Sequence, residues 1–170
     1  MELFSEIQIE VGEWSSNNFP GQPDVNPLLG SIEEVGELAE CINFESTPSE
    51  SELDAVGDIL VYLADFCSIR GLDYQKSYEM SQNVELDTSD FFQEWSIAIG
   101  RLNRSVLKQR QGIRLEEDRV GTEAEQKALA KILSAIENLA NERGYSIEEA
   151  IKFAWYDEVS DREWDSSYQD

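Results

Sequence analysis

The chain contains no histidine. That absence removes Ser-His-Asp and Cys-His catalysis, histidine general bases and histidine-rich zinc sites together. Only two cysteines occur, Cys41 and Cys67, with no Cys-x-x-Cys spacing. Each sits among apolar helix-formers and reads as a buried thiol, with a disulfide left open. A glycine-rich phosphate loop is also missing. No stretch approaches the ~20 apolar residues of a membrane span. The opening Met1-Glu2-Leu3-Phe4-Ser5-Glu6 has neither the basic region nor the apolar run of a signal peptide, so a cytoplasmic protein without a membrane partner is expected. Positive charge is scarce: 13 basic residues stand against 36 acidic ones, a net charge of −23. Such a surface repels nucleic-acid backbones, and no nucleic-acid partner is expected. The chemistry left is that of carboxylates holding a hard cation.

The apolar residues recur at helical spacing throughout. Phe4, Ile7, Val11 and Trp14 predict a first helix, which ends in the breaker-rich loop from Ser15 to Pro23. Asn26-Pro27 predicts the start of a second helix, running to about Phe44, with Val35, Leu38, Ala39 and Ile42 inward. After a polar bridge, Val56, Ile59, Leu60, Leu63 and Phe66 mark a third, stopping near Arg70-Gly71. A fourth is expected from about Asp90, carrying Trp95, Ala98, Ile99, Leu102 and Val106. Thr122 with Glu125, and Ser146 with Glu149, read as capping boxes of a fifth and a short sixth helix. No strand or short-period repeat is found. The expectation is a single all-α domain over 1–170, a helical bundle of five to six helices. Its parts are an acidic helix pair at about 27–70, a basic helix and loop at about 90–120, C-terminal helices at about 122–157 and an acidic tail at 158–170, which Trp164 could pin.

The acidic pair carries the candidate chemistry. Glu34 and Glu37 are neighbours on one helix surface, and Asp54 and Asp58 lie one turn apart on the next, on a face shared with Asp65 and beside Tyr62. Two helices joined by a short bridge pack antiparallel, which would bring the four carboxylates together. Crowded carboxylates raise one another's pKa values unless a cation sits among them, and Mg2+ suits such oxygen ligands. In so acidic a protein, a merely solvated face accounts for the same spacing.

A resemblance bears on that choice. Asn18-Phe19-Pro20, Pro27-Leu28-Leu29-Gly30, Glu33-Glu34-Val35-Gly36-Glu37-Leu38-Ala39-Glu40 and Asp54-Ala55-Val56-Gly57-Asp58-Ile59-Leu60-Val61-Tyr62-Leu63 together resemble the MazG-like branch of the all-α nucleoside triphosphate pyrophosphohydrolases. The likeness covers roughly residues 4 to 75 and resumes more loosely at 107–114 and 154–164. It implies a Glu-x-x-Glu helix and a Glu-x-x-Asp helix holding Mg2+ (or Mn2+), with Glu34, Glu37 and Asp58 in three of the four places. The chain departs at the fourth: Ala55 stands where the family has glutamate, and Asp54, one residue earlier, is the available substitute. The resemblance also implies a homodimer or homotetramer and a house-cleaning role on surplus or non-canonical nucleotides.

From Arg101 to Arg114 there are five cations (Arg101, Arg104, Lys108, Arg110 and Arg114) and no acid. Arg101, Arg104 and Lys108 fall on one helical stripe, which would either grip a triphosphate or form ion pairs with acidic neighbours. Trp14, Phe19 and Tyr62, with the Asn18 amide, are candidates for holding a base, and core packing of Trp14 is the alternative. The expected activity is Mg2+-dependent cleavage of a nucleoside triphosphate to the monophosphate and pyrophosphate. Glu34, Glu37, Asp54 and Asp58 would hold the metal, and Glu33 or one of the ligands would orient the attacking water. Two alternatives remain: a non-catalytic helical oligomer binding nucleotide or cation, and an enzyme like the phosphoribosyl-ATP pyrophosphohydrolases.

Overall fold

A computed structural model describes residues 2–44 and 46–164, and among these every regular element is helical. In chain order they are α1 (Leu3–Asn18), α2 (Val25–Phe44), α3 (Glu50–Arg70), α4 (Tyr74–Ser81), α5 (Phe91–Gln111), α6 (Thr122–Arg143) and α7 (Ile147–Lys152). A π-helix, Phe153–Val159, continues directly from α7. Seven α-helices thus replace the expected five to six. The chain falls into two compact units, 1–71 with 143–170, and 72–142.

Helix boundaries follow local chemistry. The Ser49 side chain accepts from the Glu52 amide and opens α3, and Gly71, at φ 65°, closes it in the left-handed region glycine enters freely. Asp90 caps α5, and Ser146 with Glu149 forms the capping box of α7. Two expected caps differ. Helix α2 has already begun at Val25, so Asn26 lies inside its first turn beside Pro27. Thr122 lies inside α6, and Glu125 is buried, its Oε1 accepting from Ser105 Oγ at 2.8 Å.

In the first unit, α3 is the central rod, packed against α1, α2, α7 and the π-helix. Val56, Ile59, Leu60, Leu63 and Phe66 are fully buried along it, as expected. Close approach is built in at two glycines. A Cβ on Gly30 would collide with the Tyr62 ring, and one on Gly57 with the Ala150 carbonyl and the Ala154 methyl. Helix α2 therefore seats its backbone on Tyr62, and α7 and the π-helix press onto α3 at Gly57. Of the expected α2 stripe only Leu38 is fully buried; Val35, Ala39 and Ile42 are half-buried. Cys41 is half-buried and Cys67 buried, and they are not joined in a disulfide. At the far end of α3, buried Glu52 accepts from Arg143 Nε at 2.9 Å and from the Tyr145 hydroxyl at 3.1 Å.

The second unit holds α4, α5 and most of α6. Trp95, Ala98, Ile99, Leu102 and Val106 of α5 are buried, as their spacing predicts; of the helical stripe on α6, Leu129, Ile132, Leu133 and Ile136 are buried and Leu139 is half-buried. No helix among the described residues is long and apolar enough to cross a membrane.

Candidate active site

The packing of α2 on α3 brings the acidic faces within electrostatic range. Glu34 is half-buried, and burial, then Asp58, Glu37, Glu33 and Asp54, push its carboxyl up to about 8. Asp58 rises to about 7, through burial and then Asp54, with Glu37 and Glu158 adding to the shift and Arg162 opposing it. Asp54 is raised as well, by burial and Glu158 against the opposing Arg162. Tyr62, in the same field, is pushed up to about 12 by burial, Glu34 and Asp58. In each case burial is the largest cause and neighbouring carboxylates add to it.

The donor set is all oxygen and fits a hard divalent cation in kind. As the side chains stand, no three His, Cys, Asp or Glu groups among the described residues enclose a common metal position. Ala55 is only 2% exposed, while Asp54 is half-buried and raises the pKa of Asp58.

Beside the carboxylates opens a cleft of about 500 Å3. Trp14, Phe19, Tyr62 and Trp164 supply its aromatic lining, and Glu33, Asp58, Asp65, Gln22 and Arg162 its polar lining. Trp14 meets Phe19 edge-on, with ring centroids 5.6 Å apart, and Trp155 at 5.9 Å. Three of the four base-binding candidates thus line one cleft. Asn18 is employed differently: its Nδ2 donates to the Trp14 carbonyl at 2.9 Å, and its Oδ1 accepts from the Trp164 amide at 2.8 Å. Trp164 is held through its backbone amide while its side chain is 54% exposed, and the rest of the expected acidic tail, 165–170, lies outside the described residues.

The five cations of the basic stretch all belong to the second unit. Arg101 pairs with Asp87 at 2.9 Å, and Arg104 with Glu117 at 2.6 Å. Lys108 donates to Gln111, and Arg114 approaches Glu117 at 3.8 Å. Arg110 is exposed on the last turn of α5. Arg101 and Arg104, together with Arg119, Lys127 and Lys131, line a second cleft of about 450 Å3. The last three escaped the sequence reading because Lys127 and Lys131 come from α6 and Arg119 from the loop before it.

Three residues of the first unit were also missed, and Asp65, already placed on the Asp58 face of α3, had been given no role. As a signal, Arg162 and Glu158 had only their own i, i+4 pairing, at 2.8 Å, in a segment read as an acidic tail. Gln22, in a breaker-rich loop, had none. No protein-family profile, curated protein or solved structure matches this chain.

Proposed function

We propose that the first unit is a Mg2+-dependent nucleoside triphosphate pyrophosphohydrolase that adds water across the α–β phosphoanhydride, releasing a nucleoside monophosphate and pyrophosphate. The observation that carries this reading is the electrostatic meeting of Glu34 and Asp58, from two different helices, with Asp58 lining an aromatic-walled cleft. Glu34, Glu37, Asp54 and Asp58 would hold the cation, with Mn2+ able to substitute. A divalent ion there supplies the positive charge that the carboxylates lack, neutralises phosphate oxygens and acidifies water. Glu33, on the cleft wall, is placed to orient the attacking water, and Trp14, Phe19 and Tyr62 to stack on the base. Arg162, beside Asp54 and Asp58, adds a fixed cation for the departing pyrophosphate. The phosphoribosyl-ATP type of substrate uses the same chemistry and differs only in what the cleft accepts.

A homodimer or homotetramer is part of the proposal. Leu29 and Ile32 of α2 are 63% and 43% exposed, apolar side chains that a second copy would cover. Nucleotide-pool house-cleaning follows from the resemblance alone.

The buried position of Ala55 favours one competing reading, a cation- or nucleotide-binding module without turnover. Pyrophosphate release from a panel of nucleoside triphosphates, with Mg2+ and with excess chelator, separates the two. Release that needs the metal is expected; turnover unaffected by chelator would overturn the carboxylate site, and tight binding without release would favour the module.

A further inference from the structure

Asp65 is 8% exposed and lines the cleft of the first unit. One of its carboxyl oxygens is fixed, Oδ2 accepting from Gln22 Nε2 at 2.8 Å, while the same Gln22 nitrogen reaches Ser15 Oγ at 2.6 Å. The other, Oδ1, is buried with no hydrogen-bond partner. A buried acceptor left unpaired is costly, and a ligand that donates to it removes that cost. Trp14, Phe19 and Tyr62 line the same cleft, which makes it a place for a flat heterocycle. Asp65 lies two helical turns, ~10 Å, beyond Asp58 along α3. A molecule with its phosphates at the carboxylate cluster therefore has room for a sugar and ring before its far edge meets Asp65.

We propose that Asp65 is a specificity-determining residue whose Oδ1 accepts an N–H from the exocyclic amine of a cytosine or adenine base, rejecting the keto counterparts uracil and hypoxanthine. The inference rests on the nucleotide-hydrolase reading of this site and adds its substrate class. An acceptor with Oδ2 already engaged offers one oxygen, matched to a single amine. A base carbonyl presented there would place two acceptors face to face, leaving both unpaired. Gln22 sets the carboxyl plane and is a positioning residue.

The test uses pairs that differ only in amine against carbonyl. For wild type and Asp65→Asn, kcat/KM is measured on dCTP against dUTP and on dATP against dITP. Kd is measured by calorimetry on the four corresponding monophosphates. Wild type should favour the amino member of its better pair at least about tenfold, and Asp65→Asn should abolish or reverse that ratio while still cleaving a triphosphate. A wild-type preference for keto bases, no preference, or an unchanged ratio in Asp65→Asn would overturn the inference with triphosphate cleavage intact. If no triphosphate is cleaved, the hydrolase reading fails on its own and the monophosphate Kd ratios decide on Asp65; binding of none of the four overturns it. Should Asp65→Asn not fold, the wild-type ratios are decisive.

Discussion

The indole nitrogen of Trp14 donates to the carbonyl oxygen of Arg162 at 2.8 Å, joining residues 148 positions apart. With the Asn18 side chain accepting from the Trp164 amide, this bond holds the segment after the π-helix along one side of the cleft. The wall that carries Arg162 is therefore fixed by two polar contacts to α1.

Those contacts make a prediction about local stability. A hydrogen bond of this kind contributes about 1 kcal/mol. Trp14→Phe keeps an aromatic ring and removes the donor; Asn18→Ala removes the acceptor. Each should speed amide exchange over 160–164 severalfold, the pair together more, with the global melting temperature nearly unchanged. Exchange that stays at the wild-type rate in the double variant would mean that packing of Val159 and Trp164 alone holds the segment.

The carboxylate cluster makes stability depend on pH in a definite direction. Glu34 and Asp58 have folded pKa values of about 8 and about 7, above their ordinary values of 4.5 and 3.8. The folded state thus binds more protons than the unfolded state between those limits, so stability falls as pH rises through the window. The penalty is absent below about pH 4 and complete above about pH 8. In chelator, the melting temperature should drop from pH 5 to pH 8, and saturating Mg2+ should restore it most at the upper end. Glu34→Gln and Asp58→Asn should each flatten the slope. An unchanged slope in both variants would assign the pH dependence to the net charge of −23 instead.

The basic helix separates stability from anion binding. Arg104 and Glu117 form a partly buried pair, with side chains 26% and 28% exposed, and hydrogen bonding to Arg104 holds the Glu117 carboxyl below its usual range. Arg104→Gln and Glu117→Gln should both lower the melting temperature slightly, since each removes the same ion pair. Their effects on pyrophosphate affinity should be opposite, since Glu117→Gln frees the guanidinium and Arg104→Gln removes it. Lys108→Gln, lacking a carboxylate contact of that kind, should weaken pyrophosphate binding with no change in melting temperature. Calorimetric titration with pyrophosphate alongside thermal melts decides; equal, unchanged affinities in all three would make the stripe an ion-pair surface only.

The sequence made the helices of the first unit legible wherever apolar residues carried the period. Phe4, Ile7, Val11 and the α3 stripe are the core residues their spacing named. Helix α4 was missed because its buried face is one aromatic, Tyr74, with the small hydroxyls Ser77 and Ser81, rather than a repeating hydrophobic stripe. The π-helix was missed because its wide turn has no sequence period of its own. The electrostatic meeting of Glu34 with Asp58 could be anticipated from helix faces and a short bridge. The roles of Arg162 and Gln22 could not, since both sit in irregular segments whose position depends on bonds to distant residues. Asn18 shows the converse: a residue picked for an exposed amide is spent on holding the backbone around it.

The departure at Asp54 and Ala55 gives the sharpest test of whether the site is catalytic. Ala55 is 2% exposed, whereas Asp54 is half-buried and raises the pKa of Asp58. If Asp54 is a metal ligand, Asp54→Asn keeps the shape and removes a ligand charge. Metal affinity or turnover should fall tenfold or more, because about 1.4 kcal/mol of lost binding already gives that factor. The metal-free fold should hold or gain stability, as one crowded carboxylate is neutralised. Ala55→Glu is expected to behave oppositely in chelator: a carboxylate placed in a buried position costs about 2 kcal/mol or more, lowering the melting temperature by at least about 4 °C. Saturating Mg2+ should recover that loss if the new side chain reaches the ion, and turnover should then be equal to or above wild type. Melting curves with and without Mg2+, paired with pyrophosphate release, read all of these at once. Should Asp54→Asn retain wild-type metal dependence while Ala55→Glu creates turnover absent from the native chain, Asp54 is no substitute ligand. The native protein would then be a binding module that has lost a catalytic carboxylate.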